Sequence, residues 1–132
     1  MKLALLITGA PCASQAAESA WHAAQAALAT GHELIRVFLH GDGVYLASSL
    51  AISRDPERDW FRQWSSLIRE HDLPATACVG SALRRGLLDE RESRRHGRHC
   101  ANLASGWVLG GLGDWVEAEC CADRVLHFQP SW

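Results

Sequence analysis

Four short segments rich in apolar and β-prone residues recur along the chain, and each is bounded by turn-forming residues. Runs of this length are typical of strands that are covered on both faces of a parallel sheet. Pro11 follows the first segment and Pro74 precedes the third, where each would interrupt a strand or helix. The predicted strands cover residues 2–8, 33–40, 75–79 and 123–128.

Small and apolar residues at helical spacing separate the first two predicted strands. Ser14 is a suitable cap for this helix, and Gly31 is placed to end it. The abundance of alanine on one face predicts a close approach to the sheet, and the order strand, helix, strand predicts that the two strands are parallel. The residues on this face are Ala17, Ala20, Trp21, Ala24, Ala27 and Leu28.

A second helix is predicted to begin at Asp55-Pro56, because aspartate caps helices and proline favours the first helical position. Its apolar face is expected to be part of the core rather than a ligand or partner surface. That face carries Trp60, Phe61, Trp64, Leu67 and Ile68. Before it, the turn Gly41-Asp42-Gly43 predicts a short helix over residues 44–50.

The last third of the chain has weaker patterns. Residues 99–105 are expected to form a further helical turn, and the glycine-rich residues 106–113 a mobile loop. A helix is then predicted from about Asp114, which could cap it. Together these elements predict an α/β fold with residues 1–132 as one domain, in which helices cover both faces of an open, mainly parallel, flavodoxin-like sheet.

Composition excludes several classes of protein. The 132 residues suffice for one hydrophobic core, and a formal net charge of −2 gives no reason to expect binding to nucleic acid or to a membrane. The five cysteines form an odd set without a CxxC pair, which argues against a zinc site and a disulfide scaffold and predicts reduced thiols in the cytoplasm. Seven histidines show no metal-binding spacing, so no metal site is expected, and no motif in the chain requires an organic cofactor.

Cys78 is the main candidate for chemistry, because it lies where the third predicted strand gives way to a helical turn. The thiolate is the nucleophilic form of cysteine, and helix N-termini and nearby cations favour it. Ser81 and Arg84 are candidates for stabilising that anion. The alternative is that Cys78 is a small buried hydrophobe, as most free cysteines are.

Two other features leave alternatives open. Residues 84–98 contain six arginines against three acidic residues, which indicates either a solvated helical face or a docking surface for an acidic carrier protein or RNA. The turn over residues 8–15 occupies the phosphate-binding position of a flavodoxin-like fold, but it lacks the loop that holds flavin. Cys12, Cys100, Cys120 and Cys121 have no setting like that of Cys78.

Several motifs in this order resemble the DsrE/TusD subunit of the DsrE-like sulfur-relay family. The most specific is Cys78-Val-x-x-Ala-Leu-Arg-Arg-Gly86. The resemblance covers nearly the whole chain. The other matching motifs are Gly31-His-Glu-Leu34, Gly43-Val-Tyr45, Asn102-Leu103, Leu109-x-Gly-Leu-Gly113 and Cys121-x-Asp-Arg-Val125.

The resemblance implies a sulfurtransferase subunit that carries sulfur as a persulfide on Cys78. It further implies a heterohexamer containing two copies each of this chain and two related small subunits. In the TusD branch, a TusA-like protein donates sulfur and a TusE-like protein accepts it, for 2-thiolation of the tRNA wobble uridine. The alternatives are a DsrE-type role in oxidative sulfur metabolism and a non-catalytic subunit that only builds the oligomer.

Overall fold

One parallel sheet of five strands organises the molecule. The computed structural model describes residues 1–130, and the strand order is β4-β3-β2-β1-β5 with every neighbouring pair parallel. The carboxyl ends of all five strands therefore lie along one edge, the edge where α/β proteins place their sites. The strands are β1 (Lys2–Ile7), β2 (Glu33–Leu39), β3 (Ala75–Cys78), β4 (Val108–Gly110) and β5 (Arg124–Phe128).

Within residues 1–130, five α-helices and two 3₁₀ segments connect the strands. The 3₁₀ segments, Gly41–Ala47 and Pro56–Arg58, both lie between β2 and the second helix. The helices are α1 (Ala16–Ala29), α2 (Trp60–His71), α3 (Val79–Arg84), α4 (Glu90–Arg95) and α5 (Leu112–Cys121).

The helices cover both faces of the sheet, as the sequence predicts. Alternate residues of β1, Leu3, Leu5 and Ile7, point towards α1 and join the main core with its alanines. On the opposite face, the rings of Phe38 in β2 and Trp115 in α5 lie 5.8 Å apart. The α/β fold class is confirmed.

The predicted apolar face of α2 forms part of the core. Trp64, Leu67 and Ile68 are buried, and Trp60 and Phe61 pack against them at the edge. The indole Nε1 of Trp64 donates a hydrogen bond of 2.9 Å to the carbonyl oxygen of Ala17, so α1 and α2 are joined by a polar contact inside the core. The small alanines of α1 allow this close packing.

The predicted loop over residues 106–113 is wrong. Val108–Gly110 is strand β4, which pairs with the free edge of β3, and α5 begins at Leu112 with Gly111 rather than Asp114 at the cap position. The helical turn predicted for residues 99–105 is also wrong, because this segment contains no helix and Leu103 forms an isolated antiparallel bridge with Ser48. In both cases pairing with a distant segment decides the backbone conformation.

Two predicted helix starts are shifted. Asp55-Pro56 begins only the 3₁₀ turn Pro56–Arg58, and α2 starts at Trp60 with Asp59 as its cap. The short helix expected over residues 44–50 is instead the 3₁₀ segment Gly41–Ala47, which starts within the predicted turn. Both glycines of that turn therefore belong to the segment itself.

Replacing Asp59 by alanine is expected to destabilise the protein by about 1 kcal/mol, because its side chain accepts a hydrogen bond of 3.2 Å from the backbone amide of Arg62. Urea denaturation followed by circular dichroism measures this loss. Glu70→Ala on the exposed surface of the same helix is the control, and its effect should stay within about 0.5 kcal/mol. Equal effects of the two substitutions would contradict the capping role.

Candidate functional site

Cys78 lies at the junction predicted for it. It is the last residue of β3 and the cap residue of α3, and only 6% of its surface is exposed. Its side chain makes no capping hydrogen bond, and the first amides of a helix have no acceptor within the helix. The sulfur is thus attached at a point where backbone donors are available, in a site shielded from solvent.

Ser81 is buried and connects two strand ends. Its hydroxyl oxygen accepts a hydrogen bond of 3.0 Å from the backbone amide of Gly41, the first residue of the 3₁₀ segment after β2. This bond joins the β3–α3 junction to the β2 end of the sheet. The contact links the backbone next to Cys78 to the segment after β2, and a role for Ser81 in stabilising a thiolate stays a prediction.

The arginine that makes hydrogen bonds within this junction is Arg85. Its Nε donates to a carboxylate oxygen of Asp42 at 2.9 Å, and its Nη1 donates to the carbonyl oxygen of Ser81 at 3.1 Å. Arg84, the predicted candidate, is exposed at the far end of α3 and lines a separate cavity. A role for Arg84 in stabilising a thiolate on Cys78 stays a prediction.

Gly110 and Asp114 adjoin the junction, although the sequence patterns indicate Gly110 only as part of a loop and Asp114 only as a helix cap. Gly110 pairs with Cys78 across the β3–β4 ladder, and the Asp114 carboxylate packs against Gly110. A Cβ atom at position 110 would overlap this carboxylate and lie 2.6 Å from the Cγ2 of Thr76. Glycine at position 110 therefore leaves room for both side chains, and the glycine-rich sequence before Asp114 is the signal of this packing.

The other four cysteines differ from Cys78 in exposure. Cys12, Cys100, Cys120 and Cys121 are all exposed, and no cysteine forms a disulfide within the described residues. Cys12 has a left-handed backbone (φ 70°) and lines a cavity of about 720 Å³ beside the start of α1. Cys78 is thus the one buried thiol among the five.

Residues 1–130 show neither a metal-binding cluster nor a membrane-spanning helix. No group of three or more histidine, cysteine, aspartate or glutamate side chains is arranged there to hold a metal ion. Among the helices in this part of the chain, none has the length and apolar character needed to cross a bilayer.

Replacing Ser81 by alanine is expected to destabilise the protein by about 1–2 kcal/mol, because the amide of Gly41 loses its partner in a partly buried position. Urea denaturation measures the effect. Ser19→Ala on the exposed surface of α1 is the control and should change stability by less than about 0.5 kcal/mol. If Ser81→Ala is as stable as the wild type, Ser81 does not hold the two strand ends together.

The sheet and the junction define an α/β protein with a shielded cysteine at the carboxyl edge of its central strands. The sequence profile of the DsrE/DsrF-like family matches residues 1–128, and the chain belongs to this family. It is also similar to a solved structure described as the crystal structure of the ychN protein from E. coli, with a TM-score of 0.74 and 20% sequence identity. That match covers 97% of this chain and 99% of the other, and it confirms the fold.

Membership of the family also gives a broad functional class. The DsrE family is associated with sulfur transfer, and the chain shares the family's sequence profile over nearly its full length. This agrees with the resemblance seen in the motif from Cys78 to Gly86.

Proposed function

We propose that the protein is a sulfurtransferase subunit that accepts sulfane sulfur on Cys78 and passes it on to a carrier protein. The observation that carries this proposal is the position of Cys78 between the end of β3 and the start of α3, in a chain of the DsrE/DsrF-like family. Four other thiols are present, but each is exposed to reductants and competing reactions.

The proposed step is a thiol exchange. The Cys78 thiolate attacks the terminal sulfur of a donor persulfide, R–S–SH. A new sulfur–sulfur bond forms on Cys78, the donor's sulfur–sulfur bond breaks, and the donor leaves as the thiolate R–S⁻. The proton stays on the transferred sulfur, so atoms and charge balance without a metal or organic cofactor. A later acceptor thiolate attacks the same terminal sulfur and restores the Cys78 thiolate.

The residues around Cys78 support this chemistry by holding and shielding the sulfur. Ser81 and Arg85 fix the start of α3 against the 3₁₀ segment after β2, so the cysteine is attached to a rigid junction. On the β4 side, Gly110 pairs with Cys78, and the Asp114 carboxylate packs against Gly110. The low exposure of Cys78 protects a persulfide from water and small reductants between the two transfers.

The test is mass analysis after incubation with glutathione persulfide. The expected product has gained about 32 Da, one sulfur atom, on the peptide that contains Cys78. A thiol acceptor added afterwards should remove the added sulfur at a rate comparable to the rate of loading. Sulfur found only on peptides containing the four exposed cysteines would show that Cys78 is not the carrier.

The burial of Cys78 favours a second candidate, a non-catalytic subunit that serves only to assemble a complex. In that case Cys78 reacts only when the whole chain unfolds. Alkylation by iodoacetamide separates the two functions when it is measured in the wild type and in Asp59→Ala. If global unfolding is required, a loss of about 1 kcal/mol accelerates labelling of Cys78 about fivefold. If local opening exposes a working thiol, the rate of labelling stays unchanged.

We further propose that the chain works in the cytoplasm within a heterohexamer that contains two copies of each of three related subunits. Exposed apolar side chains on β4 and α5, Val108, Leu112 and Val116, support the presence of protein partners. Sedimentation of the chain co-expressed with its two related subunits tests this composition. A chain that stays monomeric in their presence would contradict it.

The final acceptor of the sulfur is proposed to be the wobble uridine of certain tRNAs, reached through a TusA-like donor and a TusE-like acceptor protein. The motif Cys78-Val-x-x-Ala-Leu-Arg-Arg-Gly86 supports the resemblance to the DsrE/TusD subunit, within which this branch is proposed. Measuring 2-thiouridine in tRNA from a deletion strain tests it. An undiminished level of 2-thiouridine would favour the oxidative sulfur branch instead.

A further inference from the structure

A basic cavity of about 330 Å³ lies between the end of α3 and the end of α4. Its walls combine two guanidinium groups and an imidazole with two leucine side chains. We call it the basic groove. It is lined by Leu83, Arg84, Gly86, Leu88, His96 and Arg98.

The two arginines of the basic groove have no carboxylate within 4 Å among the described residues, although acidic residues lie nearby in sequence. Glu92 is engaged by Arg95 at 3.7 Å and by His96 at 3.1 Å. A hydrogen bond of 3.3 Å to the backbone oxygen of His96 helps to place the Arg98 guanidinium at the groove. The groove therefore presents positive charge that the chain itself does not neutralise.

Charge in this protein is strongly uneven. Residues 84–98 hold six arginines and three acidic residues, whereas seven basic and twelve acidic side chains lie elsewhere. The segment thus has an excess of three positive charges, and the remainder of the chain is negative by five. Such a local positive field steers and orients a negatively charged protein. RNA is disfavoured, because a phosphate backbone requires an extended positive surface and would meet the acidic remainder.

We propose that the basic groove binds an acidic segment of the carrier protein that exchanges sulfur with Cys78. Carboxylates of that segment pair with Arg84 and Arg98, and its apolar side chains contact Leu83 and Leu88, which are half-buried. This inference rests on the proposed sulfur-transfer function. Cys78 and Arg84 lie at opposite ends of α3, about 9 Å apart along its axis, so a carrier bound at the groove is close to the cysteine.

The test uses a fluorescent ten-residue peptide of alternating glutamate and leucine as the probe, with binding measured by anisotropy. The charge-reversed protein Arg84→Glu/Arg98→Glu is expected to bind it at least about tenfold more weakly than the wild type. The matched control is Arg62→Glu/Arg124→Glu, which reverses two exposed arginines outside the groove and gives the same net charge. Its affinity should change by less than about twofold if the effect is local.

Three results would overturn the inference: no binding of the acidic peptide to the wild type, equal weakening in both charge-reversed proteins, or tighter binding of a ten-nucleotide single-stranded RNA than of the peptide. The milder pair Arg84→Gln/Arg98→Gln removes the two charges without reversing them. It should also weaken binding, which checks that the loss of affinity in the charge-reversed protein does not come from misfolding. Loading of Cys78 from glutathione persulfide is a separate measurement, made on the wild-type protein. Failure of the wild type to load would overturn the proposed function. The peptide measurement would still show whether the basic groove binds an acidic segment.

Discussion

Replacing Cys78 by serine is expected to abolish sulfur loading in a chain whose four exposed cysteines are also serine. The parent for this comparison keeps Cys78 as its only thiol, and it should gain a single sulfur of about 32 Da from glutathione persulfide. The Cys78→Ser form of the same chain should gain none, because a hydroxyl is not deprotonated at neutral pH and does not form a persulfide. Intact-mass measurement resolves the two outcomes directly.

The background is chosen because small persulfides also react with exposed thiols. Cys12, Cys100, Cys120 and Cys121 are exposed, so their replacement by serine should cost little stability. At the buried position 78, serine exchanges a thiol for a more polar hydroxyl and should cost about 1–2 kcal/mol. Circular dichroism shows whether the Cys78→Ser protein is folded. A folded parent that fails to load would contradict the proposed chemistry.

The sequence predicts that Cys78 lies at a strand-to-helix junction, because the signal for that position is local. The apolar and β-prone run ends at Val79, the residue after Cys78, and Gly80 and Ser81 follow at the start of a helical turn. The parallel order of the sheet then places the strand end at the edge where sites form. The alanine-rich face of α1 is also predicted from local sequence, because its spacing matches one helix face and its small side chains indicate close packing.

The surroundings of Cys78 could not be predicted in the same way, because they come from distant parts of the chain. The partners of Ser81 and Arg85 are Gly41 and Asp42, about forty residues earlier. No local pattern connects these residues. The sequence favours Arg84 as a partner of the thiolate, and that role stays a prediction. The structure adds Arg85, which donates hydrogen bonds within the junction, and places Arg84 at the wall of the basic groove.

Strand β4 illustrates the same limit for secondary structure. Glycines surround Val108–Gly110, and glycine is disfavoured in strands, so local preference predicts a loop. The free edge of β3 offers unpaired backbone groups to this segment, and pairing from Thr76 to Cys78 satisfies them. Gly110 in turn admits the Asp114 carboxylate beside the ladder. Tertiary pairing here outweighs intrinsic preference.

Replacing Gly43 by alanine is expected to have the largest effect on stability, a loss of at least about 4 kcal/mol. A Cβ atom at this position would overlap the carbonyl oxygen of Ile7 and lie 2.8 Å from its carbonyl carbon. These are backbone atoms at the end of β1, a central strand, so neither neighbour can rotate away. Since small domains are stable by about 5–15 kcal/mol, much of the folded state would be lost. Urea denaturation measures the change.

Gly41→Ala in the same 3₁₀ segment is the matched control for Gly43→Ala. Gly41 has a left-handed backbone (φ +57°), but a Cβ atom at this position would meet nothing within 4 Å, so alanine there should cost only about 1–2 kcal/mol. Comparable losses at the two positions would contradict the view that contact with Ile7 requires glycine at position 43. A larger loss at Gly43 would mean that the close approach to β1 holds the 3₁₀ segment in place. Through the bond from Gly41 to Ser81, that same contact then helps to position the junction that carries Cys78.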